Sequence, residues 1–335
     1  MENNSCIQDY HHDKYEDFYN VIKTANIKSV FQPIVSLTDC TIIGYEALSR
    51  GPQNSNMQNP EVLLDIAKEC DKLWELEDLF RSKALESIYN SKLDVKIFLN
   101  INPGIIDSLK FKNSFTEEYL RKYDLHCKNI IFEITERDLI KDIDRFKETI
   151  EYCKSKNYQI AIDDAGSGHS GLNRICHINP HYIKLDIELI RNIDKYATKQ
   201  AIVRSMYEFS KLTGCNLIAE GIETEEELKT LIEIGVQYGQ GYFIQRPNEQ
   251  ILPIENKILK IINNSNNKLC VDYKTPIHKV IDLAMSRKKE KLYDNVIVTR
   301  DSKYYGVITI KDLIEKFTEV KIYDESNFRL LQSIL

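Results

Sequence analysis

A carboxylate or carboxamide closes one short apolar run after another in this chain. Glu46 follows TIIGY, Asn100 ends KIFLN, Glu133 lies in NIIFEIT, and Asp163 and Asp164 end QIAIDD. Further on, Lys184 and Asp186 alternate with apolar residues in YIKLD, Glu220 ends NLIAE, and Gln240 opens GQGYF. Oxygen-bearing side chains are hard ligands, suited to Mg2+ or Mn2+ rather than to zinc. Five carboxylates brought to one place cannot all stay ionised unless cations lie between them. The set predicts a metal site with more than one ion, and Lys184 would add a compact ammonium beside a bound water.

These residues are spread over nearly two hundred positions, so the fold must bring them together. Short apolar runs alternate with stretches of helical periodicity, the pattern of parallel strands joined by crossover helices. In a closed barrel of that kind the C-terminal ends of the strands share one face, where chemistry sits. Eight runs qualify as strands: SVFQPIVSL, CTIIGYEAL, KIFLN, NIIFEIT, QIAIDD, HYIKLD, NLIAEG and GQGYFI. Thr38-Asp39 is short enough to make the first two an antiparallel hairpin. The expected fold is therefore α/β, a modified (β/α)8 TIM-like barrel with an antiparallel first strand. Helices are expected around 15–23, from Pro60, over 73–90, 142–156 and 199–213, and after Thr224, where Glu227 completes a capping box. Gly214 and Gly235 stand where helices should stop.

The organisation reads as a lead-in over 1–24, a barrel over 25–250, and a helix and polar linker over 251–268. Residues 269–335 form a small α+β module, marginal on its own at that size. The formal charge of −6 and the absence of a basic face argue against broad nucleic-acid binding. No apolar run approaches the ~18 residues that would span a bilayer. The polar, acidic N-terminus does not read as a secretory signal. Eight cysteines without a Cys-x-x-Cys pair suggest reduced thiols and a cytoplasmic chain. Cys176, His177 and His181 could suggest zinc, but Pro180 interrupts any helix that would align them.

Glu46-Ala47-Leu48 in YEALSR, together with seven segments in order, FQPIV, FLNINP, FEITE, DDAGSG, IKLD, AEGIET and YGQGYF, gives residues ~25–250 a specific resemblance to the EAL domain family. That family opens cyclic di-GMP to linear pGpG. The resemblance implies that Glu46, Asn100, Glu133 and Asp163 hold one metal ion, and that Asp163, Asp164 and Glu220 hold a second. It makes Lys184 the residue that orients the attacking water, with Glu46, Lys184 and Glu220 as the catalytic group. Gln240 would help hold the metal–water network, Arg50 would contact phosphate, and Gln32 would contact substrate. Glu136, Asp186 and Glu223, with Gly166 and Gly168 of the glycine loop, would support the site. Two hard cations at such a site supply both an activated water and charge neutralisation for phosphodiester cleavage. The chain departs from the family at Asn102, Ala165, His169 and Gly171, the last three in the loop region that couples the site to a dimer. No ligand position is lost, which favours an enzyme over a receptor that binds cyclic di-GMP without turnover. The tail resembles one CBS motif through Gly306-Val307-Ile308-Thr309-Ile310-Lys311-Asp312. There Thr309 and Asp312 could contact an adenine nucleotide or cap a helix. A homodimer, cyclic di-GMP as ligand, and no membrane or nucleic-acid partner complete the expectations.

Overall fold

The computed structural model describes residues 3–91, 95–102, 105, 120–135, 143–166, 178–265, 269–287, 292–300 and 303–323. Strands β1 (Lys28–Ser36), β2 (Ile42–Arg50), β3 (Lys96–Asn100), β4 (Ile130–Thr135), β5 (Gln159–Ala165), β6 (Tyr182–Leu185), β7 (Asn216–Ala219) and β8 (Tyr238–Gly239) close a barrel in sequence order. β1 runs antiparallel to both β2 and β8, and every other pair of neighbours is parallel. The TIM-like fold with a reversed first strand is thus as the hairpin between β1 and β2 implied.

One layer of side chains plugs the barrel: Ile34, Phe98, Ile131, Ala161, Tyr182 and Ile218, with Tyr238 packed against them. Each comes from a different strand. Gly44 supplies the position from β2, and a Cβ there would lie 2.7 Å from the Lys96 carbonyl oxygen and 3.0 Å from the Phe98 ring. Side chains alternate between the two faces of a strand. The residue two positions nearer the mouth therefore also points inward. Those residues are Gln32, Glu46, Asn100, Glu133, Asp163, Lys184, Glu220 and Gln240. The sequence periodicity that fills the plug is what aims the polar set into the mouth.

Helices cover the outer face. Thr224 and Glu227 make the expected capping box on helix Glu225–Ile234, and Gly235 ends it at φ 100°. Gly214 ends helix Ala197–Thr213 at φ 73°. Pro60 opens helix Pro60–Glu69, with the Asn59 side chain accepting from Glu61 N. The lead-in is one helix, Asn3–Thr24, longer than its weak periodicity suggested, and Phe18 and Val21 are buried against Leu63, Ile66 and Leu76. Among the described residues no helix is long and apolar enough to cross a membrane. The described cysteines are free thiols, mostly buried.

Two expected element bounds need correction, and one strand was not expected. GQGYFI is not the last strand, because β8 stops at Gly239 and the chain turns at Gln240. The turn is forced by a close approach: a Cβ on Gly241 would sit 2.2 Å from the backbone N and O of Ile222. The amphipathic helix expected over 251–262 runs Asn256–Ser265 and buries Ile258, Ile261 and Ile262 on the barrel. Finally, the tail contains a strand, Cys270–Asp272, too short to leave a periodic signal; it pairs parallel with Val296–Arg300, itself antiparallel to Lys303–Ile308. Helices Ile277–Met285 and Ile310–Tyr323 complete this module, whose core includes Val271, Val280, Val296, Val298, Ile308 and Leu313.

Candidate metal centre

Successive strand residues face opposite ways, so Asp163 and Asp164 could not normally share a site. The β5–β6 register shifts between Ile162 and Ala165, and Asp164 takes φ 55°. Aspartate tolerates this left-handed conformation better than most residues, and a bulge re-aims side chains where it occurs. As a result one carboxylate oxygen from each of Asp163, Asp164 and Glu220 falls within 4.8 Å of the others. Gly166 follows at φ 98°, where a Cβ would strike Leu189 at 2.4 Å.

Lys184 stands at the centre, fully buried. Its Nζ lies 2.6 Å from Glu133, 2.7 Å from Glu220, 3.2 Å from Asp163 and 3.4 Å from Glu46. Asn100 Nδ2 donates to Glu46 at 3.2 Å and to Glu133 at 3.3 Å. Gln240 Nε2 donates to the other Glu46 oxygen at 2.6 Å and to Gln32 Oε1 at 3.0 Å, while Gln32 Nε2 donates to the Gln245 carbonyl. Residues from six of the eight strands and from the turns after β7 and β8 thus meet at one mouth.

The electrostatics follow from burial. Desolvation, then the Glu46 charge, raises the Glu133 carboxyl well above the usual carboxylate range, against the pull of Lys184. Desolvation, then Asp163, does the same to Glu220. For Lys184 burial alone would lower the pKa, but the charges of Asp163, Glu133, Glu220 and Glu46 together raise it well above the ordinary value. One permanent ammonium among five carboxylates leaves a formal deficit of four positive charges, which two divalent ions would supply. The all-oxygen donor set, its close spacing and its incomplete internal neutralisation all fit hard divalent cations.

Other expected site residues lie further out. Arg50 is at the mouth end of β2, its guanidinium donating to the Ser49 carbonyl at 2.7 Å. Asp186 caps helix Ile187–Ile190, accepting from Glu188 N at 2.6 Å. Glu223 faces the rim and pairs through both oxygens with Arg191, one contact at 2.7 Å, which lowers its pKa. Glu136 and Gly168 lie outside the described residues, as do Cys176 and His177. His181 is at the opposite end of the barrel, its Nδ1 accepting from Ile160 N. In the tail, Thr309 and Asp312 satisfy one another: Asp312 N donates to Thr309 Oγ1 at 3.1 Å, and Thr309 Oγ1 donates to Asp312 at 2.7 Å.

Two features escaped the sequence reading. Glu227 is buried and accepts from Asn192 N at 2.8 Å, Glu223 N at 2.8 Å and Thr224 N at 3.1 Å. It ties the segment after β6 to the loop that follows Glu220, yet its sequence signal was only that of a helix cap. A cleft of about 390 Å3 at the mouth is lined by Gln32, Glu46 and Glu220, and also by Leu48, Ile187 and Tyr242. Tyr242 is half exposed, and Arg246 stacks on its ring at 4.4 Å; only its place in YGQGYF hinted at this.

A closed α/β barrel with an acidic mouth around a buried lysine is the class that fold and site define. The chain belongs to the EAL domain family, which matches residues 16–247, and a CBS domain matches residues 262–319. It is 29% identical over 225 residues to the probable cyclic di-GMP phosphodiesterase PdeI of Escherichia coli strain K12, covering 65% of this chain but 28% of PdeI. Among solved structures it is similar to a standalone EAL protein from Vibrio cholerae O395 in its c-di-GMP-bound form. The TM-score is 0.62 and the identity 30%, over 69% of this chain and 97% of that one. It is also similar to the manganese/cy-diGMP complex of Klebsiella pneumoniae BlrP1, with TM-score 0.61 and 26% identity, over 67% of this chain and 56% of that one.

Proposed function

We propose that this chain is a divalent-metal-dependent phosphodiesterase that opens cyclic di-GMP to linear pGpG in the cytoplasm. The observation that carries the reading is Lys184 held among Glu46, Glu133, Asp163 and Glu220 at the mouth, with Asp164 beside them. Family membership and relatives bound to c-di-GMP support it. Glu46, Asn100, Glu133 and Asp163 would hold one Mg2+ or Mn2+, and Asp163, Asp164 and Glu220 the other. When bound, such ions lower the pKa of water and offset charge on the phosphodiester.

The protein's own groups do the rest. Gln240 and Asn100 fix the two oxygens of Glu46 from opposite sides, so its carboxylate is set before substrate arrives. Lys184 cannot lose its proton in that acidic cage and keeps a fixed charge beside the attacking oxygen. Gln32 and Arg50 meet the substrate from the reversed hairpin, Arg50 at phosphate, and Tyr242 offers an aromatic face at the rim for a base. Glu227 and the Glu223–Arg191 pair hold the rim loop. The tail acts as a regulatory or dimerising module on a homodimer. The direct test is to incubate the purified chain with cyclic di-GMP and Mn2+ or Mg2+ beside Glu46→Ala and separate products by chromatography. Linear pGpG from the wild type alone upholds the reading. Saturable binding of cyclic di-GMP without product overturns it in favour of a receptor.

A further inference from the structure

At the barrel end opposite the mouth lies a cavity of about 1020 Å3. It is open to solvent and lies where β4, β5, β6 and β7 begin. Arg121, Lys128 and Lys154 line it with His126 and His181, and no carboxylate is among the lining residues described. Amides and a hydroxyl complete the polar wall through Asn157, Gln159, Asn179 and Thr213. The nearest acid in sequence, Asp124, is outside the lining.

Helix carbonyl ends attract cations, and helices Ile143–Ser155 and Ala197–Thr213 both end here. That accounts for Lys154, whose Nζ donates to the Ile178 carbonyl at 2.8 Å. It leaves His126 and Lys128 without a role, for neither side chain has a hydrogen bond or ion pair among the described residues. His181 adds a donor: its Nδ1 already accepts from Ile160 N, so the neutral ring carries its proton on Nε2. Its pKa is lowered by burial and then by Lys154 and Lys96, as a locally positive field would require.

We infer that this cavity is a binding site for a phosphate-bearing small molecule, separate from the metal centre. Clustered cations and N–H donors without a carboxylate match the charge and acceptor-rich surface of a phosphate group. The volume exceeds what orthophosphate fills and suits a phosphate carried on a larger polar body. The site is independent of the proposed phosphodiesterase reading, since none of its residues reaches the mouth.

The test is calorimetric titration of inorganic pyrophosphate into the full chain, freed of metal by chelator, at low ionic strength. Without metal the mouth is acidic and repels the probe. Lys128→Glu should weaken binding by ~10-fold or more, whereas Lys122→Glu, the same charge change outside the cavity, should stay within about twofold. Glu46→Gln should leave binding unchanged. His126→Ala serves as a second cavity variant if Lys128→Glu fails to fold. No saturable binding overturns the inference, as does equal weakening by the Lys122 and Lys128 variants, which would mean diffuse surface charge. A shift with Glu46→Gln would place the probe at the mouth and also overturn it.

Discussion

The mouth of the barrel and the start of the last tail helix are built alike: a strand ends, polar residues follow, and a helix begins. In the tail, Thr309 and Asp312 exchange hydrogen bonds with each other, and Thr309 is exposed. These bonds cap the helix, so local structure accounts for both residues. At the mouth Glu133, Lys184 and Gln240 are buried, and four carboxylates surround one ammonium with a fifth, Asp164, beside them. No rearrangement of those side chains neutralises the set. A polar cluster signals function when its internal partners run out, not when its residues match a pattern.

The largest effect expected from breaking this contrast is on catalysis. Lys184→Met should lower kcat by ~100-fold or more in a steady-state assay, because a fixed buried charge beside the reacting oxygen is removed. Metal-free Lys184→Met should also be less stable than metal-free wild type, and added Mn2+ should recover much of the loss.

Next in size is the plug beneath the site. Phe98→Ala removes a buried aromatic from the layer on which Asn100 and Glu133 stand, and should cost about 3–5 kcal/mol in denaturant unfolding. Thr309→Ala, in the tail, removes only a cap and should cost about 1 kcal/mol. If the two costs were equal, the contrast between the regions would fail.

A pH experiment sharpens the same point. Glu133 and Glu220 have folded pKa values above their ordinary ones, so at these two sites the metal-free fold binds more protons than the unfolded chain. The stability these two groups contribute should fall as pH rises from about 4.3, the unfolded carboxyl value, towards the raised folded values. The raised pKa of Lys184 acts only above about 10.4 and does not enter this window. Binding of a cation must displace those protons. The rise in Tm on adding Mn2+ should therefore be larger at pH 8 than at pH 5.5, and a flat response would contradict the assignment of both residues as ligands.

The smallest effect concerns Glu227. Glu227→Gln keeps the shape but loses charge-assisted bonds to three backbone donors. It should cost about 1–3 kcal/mol and should raise the Mn2+ concentration needed for half-maximal activity, because Glu220 is on the loop it holds. A change in stability alone would reduce it to a helix cap.

Much of this was legible because a barrel writes its site with period two. The same alternation that buries Phe98, Ile131 and Ile218 also names Asn100, Glu133 and Glu220. The hairpin at Thr38-Asp39 and the caps at Thr224 and Gly214 rest on local turn chemistry, which is equally local in sequence. What stayed hidden depends on distant pieces. That GQGYF leaves the strand at Gln240 follows from Ile222 pressing on Gly241. That Asp163 and Asp164 face one site follows from a register shift against β6. Glu227 looked like a cap because its bond to Asn192 N crosses 35 positions. The basic cavity is assembled at the starts of four strands, whose motifs all lie at their other ends.

The central claim is that the mouth holds two divalent ions on these carboxylates. Titration of Mn2+ into the metal-free chain, followed by electron paramagnetic resonance of the free ion, tests it most directly. Two ions per wild-type chain, one or none in Asp163→Asn, and an unchanged count in Thr309→Ala are the predicted result. A wild-type count of zero, or a count that Asp163→Asn leaves untouched, would contradict it.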